Sequence, residues 1–263
     1  MDKSKIALIS TVINFELYQK SSPLFPKGIQ NYVIDGRNGM HGIHSLHYLF
    51  KKLKGKGIEW LIMADEDVLF TQSDIVFSLI ETMEKQQYTV CGVRDGGVIA
   101  HRNYNPFVIN TFFSILNFKA IEKIYNKREI QNHQYCTPGE FQDDISKLPY
   151  AYNTESTFEM YYCFYFWLRR KGHRFLFLDS ITESDSIANS IYVNGKKMLT
   201  HTWYARSYGI NAKHTERIET FLNQIPTLNS TRPAVPILFK KSTFTLQQKW
   251  KKFLAKIRHK LAQ

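Results

Sequence analysis

The chain has 263 residues, 43% of them hydrophobic, and a formal net charge of +12. That length suits one large α/β domain, with or without an appendage, and no apolar run approaches the roughly 18 residues of a membrane-spanning helix. The charge is uneven: nine Lys or Arg and no acid fall between Arg232 and Gln263, so residues 1–231 hold only three of the twelve net charges. A basic terminus on a nearly balanced body argues against nucleic acid as a partner. Cys91, Cys136 and Cys163 have neither metal-site spacing nor a disulfide framework, which favours a reducing compartment. The first apolar run begins at Ile6, leaving no room for a secretory signal, so a cytosolic chain is expected.

Lys3–Val12 reads as a first strand, apolar and β-branched. A Ser-, Pro- and Lys-rich irregular stretch follows, to Gly28. Asn31–Ile34 is a short second strand ending at Asp35-Gly36. His41–Leu53 carries apolar residues at helical spacing (Ile43, Leu46, Leu49, Phe50, Leu53). Trp60–Ala64 is the next strand. Strand, helix and strand in alternation predict a parallel α/β sheet.

The third strand ends in Asp65-Glu66-Asp67. Carboxylates at the tip of a buried strand are costly unless something positive meets them. A divalent metal carrying a diphosphate would do so; an acidic loop capping the next helix is the other reading. Asp65 and Asp67 stand two apart, so both can turn toward one ion, whereas Glu66 points the other way on an extended chain.

Ser73 is the expected cap of a helix over 74–85, with Ile75, Val76, Leu79, Ile80 and Met83 as its apolar stripe. Tyr88–Val93 is a strand, and Arg94-Asp95-Gly96-Gly97 its turn. His101–Phe107 reads as a polar, aromatic loop, either an acceptor platform or a cover over the core. Phe107–Ile124 is apolar and becomes helical toward Lys127. Residues 128–156 show no periodicity, and irregular stretches of that length are usually functional or mobile. Thr157–Lys171 is an aromatic-rich helix ended by Gly172. Arg174–Leu178 is a strand. Asn194-Gly195 marks a hairpin between Ile191–Val193 and Lys197–His201. Lys213–Gln224 is a helix, and Ile225–Pro236, with three prolines, a linker.

This order of pieces resembles a nucleotide-sugar glycosyltransferase of the GT-A type, family-2-like and bacterial, over roughly residues 4–210. The resemblance is carried by the strand Ile6–Val12, the Asp35-Gly36 turn, the strand ending in Asp65-Glu66-Asp67, and the helix running through Trp167-Leu-Arg-Arg-Lys-Gly172 into Phe175–Leu178. It implies an α/β fold: a single GT-A-type, Rossmann-like domain with a mostly parallel central sheet flanked by helices, plus a C-terminal amphipathic helix. The domain would span 1–225, with a donor-nucleotide half (1–100) and an acceptor half (101–225). Residues 226–263 would be linker and basic helix.

The resemblance also implies chemistry. Asp67 would ligate Mn²⁺ or Mg²⁺ on the donor diphosphate, with Asp65 on the ribose or bridging to the ion through water; hard oxygen ligands suit both ions. His201 would be a third ligand, with His214 as a second choice. Thr11 and Val12 would meet the nucleotide base, and Asp35 and Gly36 the base or ribose, although Asp35-Gly36 also reads as a plain turn. Arg94 and Arg206 would reach phosphate oxygens. An inverting enzyme needs a general base for the acceptor hydroxyl; Glu155 or Glu159 is expected there, or Asp144 beside Asp143. The donor would be a nucleoside-diphosphate sugar and the acceptor a glycan or a lipid-linked glycan of surface polysaccharide synthesis.

In the tail, Trp250, Phe253, Leu254, Ile257 and Leu261 share one helical face, with Lys251, Lys252, Lys256, Arg258 and Lys260 around it. That pattern fits an interfacial helix on an anionic membrane, or a helix docked on the body by its apolar face. Three functions stay open at this point. They are a peripheral glycosyltransferase on the inner face of a bacterial plasma membrane, a nucleotidyltransferase with a similar metal site, and a non-catalytic membrane-associated glycan-binding protein. The stretch after the first strand lacks the glycines a nucleotidyltransferase normally carries there.

Overall fold

A computed structural model describes residues 1–226 and 235–261, without the side chains of residues 251, 255, 256 and 258–261. Its strands are β1 (Ile6–Val12), β2 (Gln30–Asp35), β3 (Trp60–Ala64), β4 (Val68–Phe70), β5 (Val90–Arg94), β6 (Gly96–Ile99), β7 (Arg102–Asn103), β8 (Ile109–Asn117), β9 (Phe175–Leu178), β10 (Ser180–Thr182), β11 (Asn189–Val193), β12 (Lys196–His201) and β13 (Ile237–Phe239). The helices are α1 (Phe15–Ser21), α2 (Ile43–Leu53), α3 (Ile75–Lys85), α4 (Phe118–Ile124), α5 (Lys127–Gln131), α6 (Tyr162–Arg170), α7 (Ala212–Asn223) and α8 (Phe244–Leu261).

The central sheet has seven strands in the order β13-β2-β1-β3-β8-β5-β9. All its neighbours pair parallel except at β8, which runs antiparallel to both β3 and β5. This mostly parallel sheet, flanked by helices and followed by a C-terminal helix, is the α/β architecture expected from the sequence. Every residue of β3 is buried, as in a strand covered on both faces. In β1, Ala7 and Ile9 join the cluster beneath α2 and α6, while Ile6, Leu8 and Val12 join the one beneath α3. That division follows from side chains alternating across a strand. The α6 aromatics Tyr162, Phe164, Tyr165, Phe166 and Trp167 are fully buried and give that side its bulk. Cys91 and Cys163 are buried free thiols.

Several local expectations change. Residues 109–117 form a long strand rather than the lead-in to a helix, because an antiparallel place between β3 and β5 satisfies their backbone. The helix expected from Thr157 starts only at Tyr162. The irregular stretch after β1 contains α1, capped by Asn14, whose side chain accepts from Leu17 N. Ser73 is not the cap of α3; Asp74 stands there without a side-chain cap bond. Of the expected turn 94–97 only Asp95 lies between strands, at a bend joining β5 to β6, and it is fully buried. Gly96 begins β6, where any Cβ would lie 2.0 Å from the Tyr104 carbonyl oxygen. The 194–195 hairpin forms as read, with Asn194 and Gly195 both at positive φ, the geometry of a type I′ turn. Within the expected linker and tail, residues 237–239 form the edge strand β13 beside β2; residues 227–234 of that linker lie outside the described residues.

A second sheet, β10-β11-β12-β4, matters most for the site. In it Val68 pairs with His201, so a late hairpin is laid against the residues that follow Asp67.

Candidate active site

β1 and β3 run parallel, so their C-terminal ends share one edge. The backbone turns sharply after β3: Asp65 N donates to Phe112 O at 2.9 Å, and Val68 N to Asp65 O at 3.2 Å. Glu66 turns inward, where its carboxylate accepts from Ile13 N (2.9 Å) and Asn14 N (3.1 Å). Glu66 therefore ties the end of β1 to the end of β3. The Asn14 side chain extends the tie, donating to Ala205 O at 3.0 Å and Tyr208 O at 2.8 Å.

Above this turn lies a cavity of about 540 Å³. Thr11, Asp65, Asp67, Glu159, His201 and Arg206 all line it, with Arg102, Asn110, Phe112, Tyr161, Trp203 and Tyr204. His201 Nε2 lies 3.3 Å from Asp67 Oδ1. The His201 ring stacks on Phe112 at 4.2 Å, and Trp203 packs tilted beside it, also at 4.2 Å. Burial first, and then the charges of Asp67 and Glu66, push the Asp65 carboxyl well above the usual carboxylate range, with Arg206 opposing them. Burial and Asp67 likewise raise Glu66 to about 7. An acidic cluster pushed upward by its own members favours an arriving cation.

The residues fit a metal of the kind the resemblance implies in their chemistry: two carboxylates and an imidazole in one cavity. His201 Nδ1 is buried without a hydrogen-bond partner. As the side chains stand, however, no group of three or more His, Cys, Asp or Glu among the described residues is disposed to hold an ion; Asp67 and His201 face each other instead.

Trp203 and Tyr204 both have positive φ, 59° and 62°, uncommon for bulky residues and a form of strain met at functional sites. The strain is held from behind. Arg217 donates to the carbonyls of Thr202 and Trp203 (3.0 Å to the latter) and pairs with Asp185 at 2.9 Å. Thr202 donates its N–H (3.0 Å) and its hydroxyl (3.1 Å) to Asp67 O. The Trp203 indole donates to Asn189 Oδ1 at 2.7 Å.

Arg102 was not among the residues expected at the site. It holds the fully buried Asp95 through two bonds, of 2.8 and 2.7 Å, and stands 3.4 Å from Glu159. Asn110, Tyr161 and Tyr162 also donate to Asp95. The one sequence signal was an Arg inside a loop already read as polar and aromatic. Of that loop, Arg102 alone lines the cavity; Tyr104 stacks on Phe158 at 4.3 Å, and Phe107 is buried.

Other expected site residues lie outside the cavity. The Val12 side chain is in the core, and Val12 O accepts from Gly36 N at 2.8 Å. Gly36 sits so close that a Cβ would meet Ile13 Cγ1 at 3.0 Å. Asp35 is occupied by Arg37, which donates twice, at 2.9 and 2.7 Å, and holds the carboxyl below its usual range. Arg37, stacked on Phe15 at 4.4 Å, lines an adjoining cavity of about 330 Å³ that shares Ile13 and Arg206 with the first. Arg94 is buried against Phe177 at 3.5 Å and bonded to Pro106 O and Asp143. Asp143 also pairs with Arg169, so both are bracing the 128–156 loop. Asp144 is exposed and bonded to Ser146 at 2.6 Å. Glu155 is exposed too. His214 stacks on Tyr204 at 4.1 Å and does not line the cavity.

No family model matches the chain, and no curated protein matches it. Among solved structures it is similar to a glycosyltransferase involved in the glycosylation of the major capsid of PBCV-1, at 14% identity over 84% of this chain and 99% of that one, with a TM-score of 0.47. It is also similar to the mannosyltransferase PcManGT from Pyrobaculum calidifontis in complex with GDP-Man and Mn²⁺, at 9% identity over 47% of each chain and a TM-score of 0.32. A third is A197 from STIV, at 13% identity over 74% of this chain and 93% of that one, with a TM-score of 0.40.

Proposed function

We propose that this chain is a metal-dependent glycosyltransferase that moves a sugar from a nucleoside-diphosphate donor to a hydroxyl of a glycan or lipid-linked acceptor. The observation that carries the reading is the meeting of Asp65, Asp67, His201 and Arg206 in one cavity at the C-terminal ends of β1 and β3. In open α/β sheets, ligands bind outside those strand ends, and the cavity has the size of a small-molecule site.

Asp67 and His201, with Asp65, would hold Mn²⁺ or Mg²⁺; once bound, the ion supplies Lewis-acid neutralisation of the leaving diphosphate. Arg206 offers a planar fork of donors suited to phosphate oxygens. Trp203, Tyr204 and Phe112 wall the cavity and limit water around the sugar. Of the three carboxylates considered for general base, Glu159 is the one on the cavity wall, and we assign it that role. It takes the proton of the acceptor hydroxyl as that oxygen bonds to the anomeric carbon and the bond to the diphosphate breaks. Arg102, held by Asp95, stands 3.4 Å from Glu159 and would orient it for this task.

The tail fits a place beside lipid-linked acceptors. Trp250, Phe253, Leu254 and Ile257 on α8 are all more than a third exposed. An exposed apolar stripe among lysines suits an anionic membrane surface, here the inner face of a bacterial plasma membrane. The reading is tested by thermal stabilisation with Mn²⁺ and a panel of nucleoside diphosphates and their sugars, on wild type and Asp67→Ala. Stabilisation by UDP or GDP that disappears in the variant is expected. No response to any nucleoside diphosphate would overturn the assignment.

A further inference from the structure

α2 takes part in two cavities. Ser45 and Leu46 face the candidate active site, whereas His44, His47, Tyr48 and Lys51 line a separate cavity of about 370 Å³, closed by the start of α5 and the first turns of α8. Met40, Phe50 and Phe244, all buried, give it an apolar wall. Lys51, Lys54, Lys127 and Lys241 line it as well, and no acid does. Among the described residues no carboxylate pairs with Lys51, Lys54 or Lys241.

The second observation is His47. It is 7% exposed and lines this cavity, and its Nδ1 lies 2.6 Å from the Tyr125 hydroxyl. Its Nε2 is buried with no hydrogen-bond partner. With Tyr125 donating to Nδ1, the neutral ring carries its proton on Nε2 and has a hydrogen bond to give. A buried polar atom left unpaired is costly, and an acceptor oxygen would relieve it. Burial first, and then Lys127 and His44, hold the ring down to about 4, and the four lysines of the lining make the cavity positive. A negatively charged acceptor answers both conditions. The apolar wall and the exposed residues of α8 beyond it suit an anion that carries an apolar part.

We propose that this cavity binds a phosphate-bearing ligand, either a lipid headgroup or a free phosphoester, through Lys51, Lys54, Lys241 and the Nε2–H of His47. The site is independent of the glycosyltransferase reading, and its test needs no donor or acceptor sugar.

The full chain is compared with Lys51→Ala/Lys54→Ala/Lys241→Ala and with Lys85→Ala/Lys147→Ala/Lys213→Ala, which removes the same charge from exposed positions elsewhere. Two probes are used: glycerol 3-phosphate in thermal-shift titrations, and co-sedimentation with vesicles of phosphatidic acid in phosphatidylcholine against phosphatidylcholine alone. The site variant is expected to lose affinity by about tenfold or more, and the control variant to keep it. A response to glycerol 3-phosphate without vesicle preference assigns a free phosphoester, and a response to phosphatidic acid vesicles alone assigns a headgroup; either supports the site. No wild-type response to either probe, or an equal loss in the control variant, overturns it. His47→Gln separates the cavity from general surface charge, because it changes no lysine yet is expected to weaken glycerol 3-phosphate or vesicle binding. Unchanged binding in that variant would remove His47 from the site.

Discussion

His201 Nε2 and Asp67 Oδ1 lie 3.3 Å apart because β12 is laid against β4 with His201 opposite Val68. The histidine is held by its neighbours more than by that contact, since Phe112 stacks on its ring and Trp203 packs tilted beside it. His201→Ala is therefore expected to cost about 2–4 kcal/mol of stability, from lost packing and the space left behind. Asp67→Asn, which takes one charge out of a crowded acidic turn, should cost under about 1 kcal/mol. Urea denaturation of both variants checks the contrast, and equal losses would show that the contact with Asp67, not the packing of the ring, fixes the site.

Arg217 holds the strained backbone of residues 202–204 from outside the cavity. Arg217→Ala takes the arginine from two carbonyls and from Asp185, which keeps only the N–H groups of Ile187 and Ala188, and a loss of about 2–4 kcal/mol is expected. Tryptophan fluorescence should report a freed Trp203 in the native state. An unchanged spectrum together with wild-type stability would show that the 203–204 conformation does not depend on the arginine.

Asp95 is fully buried, with Arg102, Asn110, Tyr161 and Tyr162 around it. Asp95→Asn keeps the shape and removes the charge that balances Arg102. Breaking a buried pair from one side costs about 3–5 kcal/mol. The expected result is that loss in urea denaturation, partly recovered in the double variant with Arg102→Met. No recovery would mean that the charge pair is not the source of the loss.

His47 gives a pH dependence with a definite sign. Its ring titrates near 4 in the folded chain, against 6.5 for a free histidine. The folded state therefore holds the neutral form. Its contribution is complete above about pH 6.5 and is lost progressively as pH falls toward about 4, because the unfolded chain takes up the proton first. Melting temperatures of wild type and His47→Gln, compared at about pH 7.5 and about pH 4.5, should show the larger drop in wild type. Equal drops would exclude His47 as the titrating group.

Much of the N-terminal half was legible because it follows from local pattern. The three acids follow directly on β3 and all line the cavity, but alternation misplaced Glu66: residues 65–67 form a turn, not extended chain, and its carboxylate is tied to Ile13 N and Asn14 N. Asn194-Gly195 announced its hairpin, and the hairpin delivered His201. What stayed hidden depends on contacts between distant segments. Residues 109–117 have no helical stripe and no polar alternation, since β8 is buried on both faces, so periodicity had little to say. Arg94 and Arg102 are alike as isolated arginines in sequence; only the fold puts the first beneath Phe177 and the second against Asp95 at the cavity wall. Glu155 and Glu159 were placed just before and within a helix expected from Thr157, but that helix starts at Tyr162, beyond both.

The strand β13 has a consequence for how the chain is made. Ile237 pairs with Tyr32 and Phe239 with Ile34, so β2 waits during synthesis for a strand far later in the chain. Until then the outer edge of β2 offers unpaired backbone groups to any other strand it meets. Synthesis runs from the N-terminus, so the body can assemble around β1, β3 and β8 while that edge is still open. Shortening the chain after residue 225 would remove more than a tail: it would leave the open edge permanently in the finished protein, and self-association through β2 is the fault to look for in such a product.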